Sequence, residues 1–352
     1  MFANNRSSMR AQRGFTLIEL MVSLVISLLI GLAAFGSAQF FMAMQKQGQG
    51  AGAAQAAATL SADALKYELQ QAGLGFYADG AVRCQTMNLS SGNTDYSSAG
   101  SFFPINISTA TGSTVIDAVY ASAMESAAPA FLKLDATNKS TQLELNTYLP
   151  ATAGQTILLA PNAGGTSPCL IRNVSSVAAA DATHGEQLTL NTSDSYSQVT
   201  FPTASYPATS TVSLFGQLNW TRFSLNAGNL VMTQVLTGKS VILARNVVGF
   251  AAQYGVLNAT QTALDSWQYP ENTWATLSPT LLAQVRAIRV GIVVRSPQQE
   301  KADPTTGLCT ATTTQPQLLD RTLNLTGTWQ CYRYRSATVN VPLRNAILGT
   351  SA

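Results

Sequence analysis

From Phe15 to Met44 the chain is apolar almost without a break, and after Leu20 the only polar positions are Ser23, Ser27, Ser37 and Gln39. The 25 residues from Leu20 to Met44, at ~1.5 Å rise each, make about 37 Å of helix, enough to cross a hydrocarbon core ~30 Å thick. Serine hydroxyls can return to helix carbonyls, so they cost little in lipid. The text beyond is Ala-rich and reads as helix to about Gly73, with Leu60, Ala64 and Tyr67, flanked by Leu65 and Leu69, as an apolar stripe at helical spacing. Gly48, Gly50 and Gly52 each cost ~1 kcal/mol inside a helix, which predicts a soft point at 46–52. Gly73 and Gly75 suit the helix end.

From Phe76 the pattern shifts to short alternating runs separated by Gly, Asn, Ser and Pro. "STVIDAVYA" (113–121), "TQLELNTYL" (141–149), "QTILLA" (155–160), "EQLTLNT" (186–192) and "STVSLFGQLNWTRFSL" (210–225) read as strands. "NAGN" (226–229) predicts a hairpin turn within 218–235, and "LSPTLLAQ" a short helix before the strand "VRAIRVGIVVRS" (285–296). A late strand follows, interrupted by Pro342, while the polar stretch 296–328 is expected to need a disulfide to lie flat. One long helix followed by antiparallel strands is an α+β layout. No fixed repeat is visible.

Charge changes the picture at the amino terminus. The formal charge is +3, but Arg6, Arg10 and Arg13 lie in an acid-free leader, and the remaining chain carries 17 basic and 17 acidic side chains. Overall charge therefore gives no sign of nucleic-acid binding. Arginines before the apolar run, with Lys46 the first charge after it, place the amino terminus in the cytoplasm and the bulk outside.

Glu19 is the one charged side chain from Phe15 to Met44. An ordinary secretory signal cleaved after the run, at a site such as "FGSA", leaves Glu19 unexplained, and so does an uncleaved anchor. Cleavage between Gly14 and Phe15 explains it. Glycine lets a peptidase approach the backbone closely. The new α-amino group on Phe15 of one subunit can then face the Glu19 carboxylate of its neighbour. An ionisable group in lipid costs on the order of 2.5–3.5 kcal/mol, and pairing relieves that cost.

These residues, "RGFTLIELMVSLVISLLIGLAAF", resemble the class III signal of type IV pilins and type II secretion pseudopilins. The resemblance implies cleavage after Gly14 and N-methylation of Phe15 by a prepilin peptidase, with Glu19 as the assembly carboxylate. Many major pilins bend this helix with a proline; this chain has only Gly31 and Gly36 there. Further on, "VILARNVVGFAAQYGV", "VRAIRVGIVVRS" and "YRYRSATVNVPLRN" look like the tail of PilW-type minor pilins, over about 215–345. The implied organisation is a leader (1–14), a membrane and assembly helix (15–44), the soluble half of that helix (45–75), a β-rich middle region or extra lobe (76–212) and a PilW-like region (213–352). The implied fold is pilin-like, the helix packing on an antiparallel β head.

Catalytic chemistry finds little support. The single histidine, His184, stands in a loop text without a matched nucleophile. Asp303 and the Asp–Asn–Ser text at 191–195 lack the alternating carboxylates of a calcium loop. "VGIVVRS" and "NAGGTSP" lack phosphate-loop spacing. No cofactor or metal is expected. Arg286, Arg289, Arg295, Arg333, Arg335 and Arg344 could form a basic face, although a solvated sheet surface over Tyr332 and Tyr334 reads better. Cys84, Cys169, Cys309 and Cys331 contain no CxxC pair and, in an exported chain, favour disulfides. Three connectivities are possible; Cys84–Cys169 with Cys309–Cys331 keeps each pair within one half of the chain.

The sequence thus reads as a non-enzymatic, single-pass inner-membrane minor pilin with a periplasmic head, acting in pilus initiation or at the tip. Its implied partners are other minor pilins, the major pilin, prepilin peptidase and the inner-membrane assembly platform. A type II secretion minor pseudopilin is the near alternative, and a tip adhesin or DNA-capture subunit using the low-charge 77–210 segment is another.

Overall fold

The computed structural model describes residues 16–78, 81–97, 101–110, 112–123, 128–162, 165–258, 260, 263–303 and 305–348. The chain divides into two compact units, Met1–Gly52 and Ala53–Ala352.

A long helix, α1, runs Leu17–Gln71. The soft point expected at 46–52 is not broken, because a glycine costs helix propensity but still supplies its N–H and C=O to the ladder. The buried stripe also differs from the expected one. Ala54, Ala58, Ala62, Leu65, Leu69 and Ala72 face the core, whereas Leu60 and Tyr67 are both 68% exposed. Repeating alanines let the helix lie close to the strands, so small side chains mark the inner face better than large ones. Tyr120 ties the helix down by donating its hydroxyl to Glu68 Oε2 at 2.5 Å. Asn345 Nδ2 donates to the Gln71 and Ala72 carbonyls at the helix end at 3.1 Å each, the former shared with Leu74 N–H. The chain then reverses through Gly73 at φ 81°, where a Cβ would meet the Tyr77 ring at 2.3 Å.

Two antiparallel sheets share the main core with this helix. The first has the spatial order Lys239–Ala244, Asn229–Gln234, Leu218–Asn226, Ser113–Ala121, Ile105–Ala110. Its hairpin turn uses Ala227 and Gly228, both at positive φ, as a two-residue primed turn demands. The second has the order Leu264–Gln268, Val247–Leu257, Val285–Arg295, Tyr334–Pro342. The chain passes from one sheet to the other at Asn246, held at φ 59°. Pro342 ends its strand, paired with Ala287, and does not interrupt it. Ser278 caps the short helix Pro279–Leu282 ahead of Val285.

The middle region builds a third sheet. Gln142–Leu145, Glu186–Leu190, Cys169–Ala178, Thr156–Ala160, Thr211–Leu214 and Ala130–Phe131 pair in that order. A bridge between Leu132 and Leu145 joins the last strand to the first, with Lys133 N–H donating to the Glu144 carbonyl at 2.7 Å. The sheet thereby closes into a six-stranded barrel and leaves no open edge along its circuit. Alternation fills it: Leu143 and Leu145, Ile157 and Leu159, Leu188 and Leu190, Val212 and Leu214 all point inward. The outer side of Thr156–Ala160 and Cys169–Ala178 packs with Phe76, Leu89 and Phe215 in a further core.

The expected boundary between 76–212 and 213–352 is crossed by strand pairing. Ser113–Ala121 pairs along Leu218–Asn226, and Thr211–Leu214 closes part of the barrel. The run read as one strand over 210–225 is broken at 215–217 because its halves serve different sheets. The stretch 296–328 lies against the second sheet. Leu318, Leu319 and Leu323 come close to where Cβ atoms would stand on Gly249 and Gly291, so the two glycines make room for them.

Candidate functional site

α1 begins with reciprocal hydrogen bonds between Thr16 and Glu19. Thr16 N–H and the Thr16 hydroxyl each donate to Glu19 Oε2 at 2.9 Å, and Glu19 N–H donates to Thr16 Oγ1 at 3.3 Å. This is a capping box, and it fixes the carboxylate at the first turn of the helix. The sequence reading of Glu19 overlooked Thr16, although the T-x-x-E spacing of "TLIE" carries the signal. Gly14 and Phe15, the expected cleavage and methylation positions, lie outside the described residues.

Behind Glu19 the helix presents hydrocarbon on every side. Each large apolar side chain from Leu17 to Met44 is at least half exposed in this unit, against a mean hydropathy of 2.5 over its most apolar window. Water would not tolerate so much uncovered surface. The length and apolarity suit a membrane span, a neighbouring helix, or each in turn. The serines inside it return their hydroxyls to the backbone: Ser23 to the Leu20 carbonyl at 2.9 Å, Ser27 to Ser23 at 2.8 Å and Ser37 to Ala33 at 2.9 Å. Glu19 is left as the one ionic group of the described span, with its second oxygen available to an ammonium.

The other candidate residues serve the fold. His184 sits in a turn organised by Asp181, whose carboxylate accepts from Thr183 N–H and His184 N–H at 2.7 Å each. Those donations hold Asp181 well below the usual carboxylate range. The imidazole Nδ1 lies 2.8 Å from the Thr183 hydroxyl and 3.3 Å from Asp181, more than half exposed and outside every described pocket. Asp303 likewise caps a turn, accepting from Thr306 and Thr305 N–H, which lower its carboxyl below the ordinary value. At 191–195 the Asn191 and Asp194 side chains accept from Ser193 and Tyr196 N–H.

The late arginines do not form a free cationic face. Arg333 pairs with Glu300. Arg289 stacks 4.1 Å over Trp267 and Arg295 4.6 Å over Tyr332. Arg286 donates to the Ala283 carbonyl at 2.7 Å and the Val285 carbonyl at 3.0 Å. Arg335 is exposed at the strand edge and Arg344 opens the last short helix, Arg344–Leu348.

Two disulfides brace the head. Cys84 joins Cys169, linking the segment after α1 to the barrel, and Cys309 joins Cys331 across the long loop.

Known families match both ends of the chain. Residues 9–35 match the prokaryotic N-terminal methylation motif, and residues 220–345 match the family described as type IV pilus-assembly protein W. No curated protein and no solved structure matches the chain. The barrel lies in the stretch between the two family matches.

Proposed function

We propose that the chain is a type IV pilin-like protein of the PilW type, as its matches over 9–35 and 220–345 support, and that it is a non-enzymatic minor subunit that helps initiate a pilus or occupies its tip. In this reading the protein waits in the inner membrane with its head in the periplasm, and prepilin peptidase cuts after Gly14 and methylates Phe15. It then enters the fibre with other minor pilins and the major pilin through the assembly platform. The observation that carries it is the placement of Glu19. A lone carboxylate stands at the capped start of a helix whose large apolar side chains from Leu17 to Met44 are at least half exposed. A neighbouring subunit's terminal ammonium would neutralise that charge and set the axial register of the two helices. The match over 220–345 favours a pilus over a type II secretion apparatus.

Glu19→Ala tests it. The variant should insert and lose its leader as the wild type does, yet be missing from sheared fibres by immunoblot while accumulating in the inner membrane. Glu19→Gln, which keeps the Thr16 cap but not the charge, should behave the same way. Normal incorporation of either would refute the docking role. Mass spectrometry of the mature amino terminus should find methylated phenylalanine.

A further inference from the structure

The barrel enters and leaves the fold at one place. Ser122 N–H donates to the Gln217 carbonyl at 2.8 Å and Gly216 N–H to the Ala123 carbonyl at 3.0 Å. Immediately outside these residues Ala121 and Leu218 are already paired in the first sheet. Residues 123–216 are thus an insertion into a hairpin, with an apolar interior of their own. The hairpin could close with a short turn instead, so the barrel is not required for the strand pairing on which it sits.

A groove of about 300 Å³ opens on this barrel between the turn at 138–141, the strand Cys169–Ala178 and the segment 190–201. Small-ligand sites span ~300–1,000 Å³. Ser140, Thr141, Thr192 and Thr200 line it with hydroxyls, and Leu190 and Val199 with hydrocarbon. Two cations, Lys139 and Arg172, line it as well, and no carboxylate does among the described residues.

Arg172 selects the ligand chemistry. It stands between Leu170 and Val174, both part of the barrel interior, so its guanidinium is part-buried. Its Nη1 donates to the Tyr196 carbonyl and, at 3.0 Å, to the Ile171 carbonyl. Neither neutralises it, and no carboxylate forms an ion pair with it among the described residues. Asp194, whose field reaches it, has Oδ1 engaged by Tyr196 N–H at 3.0 Å and the Ser197 hydroxyl at 2.9 Å, while its Oδ2 is buried without a hydrogen-bond partner. Asp194 thus offsets the charge through space without hydrogen-bonding the guanidinium fork, which fits a carboxylate best.

We propose that this groove binds an acidic saccharide. Arg172 and Lys139 take its carboxylate, the serine and threonine hydroxyls take its hydroxyl groups, and Leu190 and Val199 support one ring face. A nucleic acid fits less well, since the one aromatic side chain lining the groove, Phe201, is buried and offers no stacking platform. The inference does not depend on the protein's place in a pilus.

The test titrates the full chain in detergent micelles, by calorimetry, with trigalacturonate, 3′-sialyllactose, lactose, acetate and a single-stranded oligonucleotide. At least one acidic saccharide should saturate a single site, with lactose and acetate about tenfold weaker or worse. Arg172→Gln should weaken binding about tenfold or more, and the exposed Lys139→Ala about threefold. Thr200→Trp, at an exposed lining position that makes neither of the Arg172 carbonyl contacts, should fill the groove and abolish binding even if Arg172→Gln perturbs the barrel. No saturable binding of either acidic saccharide at millimolar concentration would overturn the proposal. So would equal binding of lactose, preference for the oligonucleotide, or unchanged binding by Lys139→Ala and Thr200→Trp.

Discussion

The two disulfides enclose loops of very different length, with sequence separations of 85 for Cys84–Cys169 and 22 for Cys309–Cys331. A cross-link restricts the unfolded chain, and the loop-entropy relation gives about 4.6 kcal/mol for the longer loop and about 3.4 kcal/mol for the shorter at 25 °C. Burial widens the difference. Cys84 and Cys169 have no exposed surface and pack with Phe76, Leu158 and Phe215, whereas Cys309 and Cys331 are 8% and 6% exposed at the edge of the loop. Alanine at both inner positions also removes two buried sulfur atoms, adding roughly 1 kcal/mol of lost packing. Cys84→Ala/Cys169→Ala should therefore lose about 5–6 kcal/mol and Cys309→Ala/Cys331→Ala about 3–4 kcal/mol. Urea unfolding of the oxidised protein in micelles, followed by tryptophan fluorescence, reads both. Trp220 lies 6.0 Å from Tyr96 beside the core that contains the first disulfide, so it reports that region directly. The untreated protein should have no titratable thiol and the reduced, unfolded protein four. Equal losses in the two variants, or a larger loss from the short loop, would refute the reasoning.

Two further outcomes rest on other contacts. Tyr254, wholly buried, accepts from Ile107 N–H at 2.5 Å and donates to the Ile107 carbonyl at 3.1 Å; Tyr254→Phe should cost ~2–4 kcal/mol by leaving both groups unpaired. An unchanged urea midpoint would show that water replaces the hydroxyl. Glu144 is held below its ordinary carboxyl value of 4.5, chiefly by the Lys133 ammonium at 2.8 Å and then by Gly185 N–H. A lowered folded-state pKa stabilises above the unfolded value and is lost as pH falls through the folded one. Lys133→Ala should accordingly soften the fall in stability below pH 4.5, and an acid limb of unchanged steepness in urea titrations would contradict this.

Much of the architecture could be read from local pattern. Strand positions, the turn at 226–229 and the helix end near Gly73 follow from alternation and from residues that accept positive φ. What failed was decided at longer range. Leu60 and Tyr67 looked like core by size, but the helix lies so near the strands that alanines at 54, 58 and 62 own that face. The glycines at 48, 50 and 52 suggested a break that the backbone ladder does not make. Nor did anything local show that 210–225 serves two sheets, or that the Leu132–Leu145 bridge closes a barrel between two strands already paired to each other.

The same difference separates the two charged groups on which function is argued. Glu19 is conspicuous in the sequence because its surroundings are the sequence: one carboxylate in a run of hydrocarbon, with Thr16 in the same turn. Arg172 occupies an equivalent physical position, a charge on an apolar face, but that face exists only after folding. In "CLIRNV" it looks like any polar residue alternating with apolar ones on a half-exposed strand. Leu170 and Ile171 are both buried, one inside the barrel and one outside it, so the run does not show that the face Arg172 shares with Leu170 and Val174 is a closed interior. Its companions in the groove come from 138–141 and 190–201, too far apart to form a motif. A charge placed against its solvent is a functional signal in both cases, and the fold has to be known before the second can be seen.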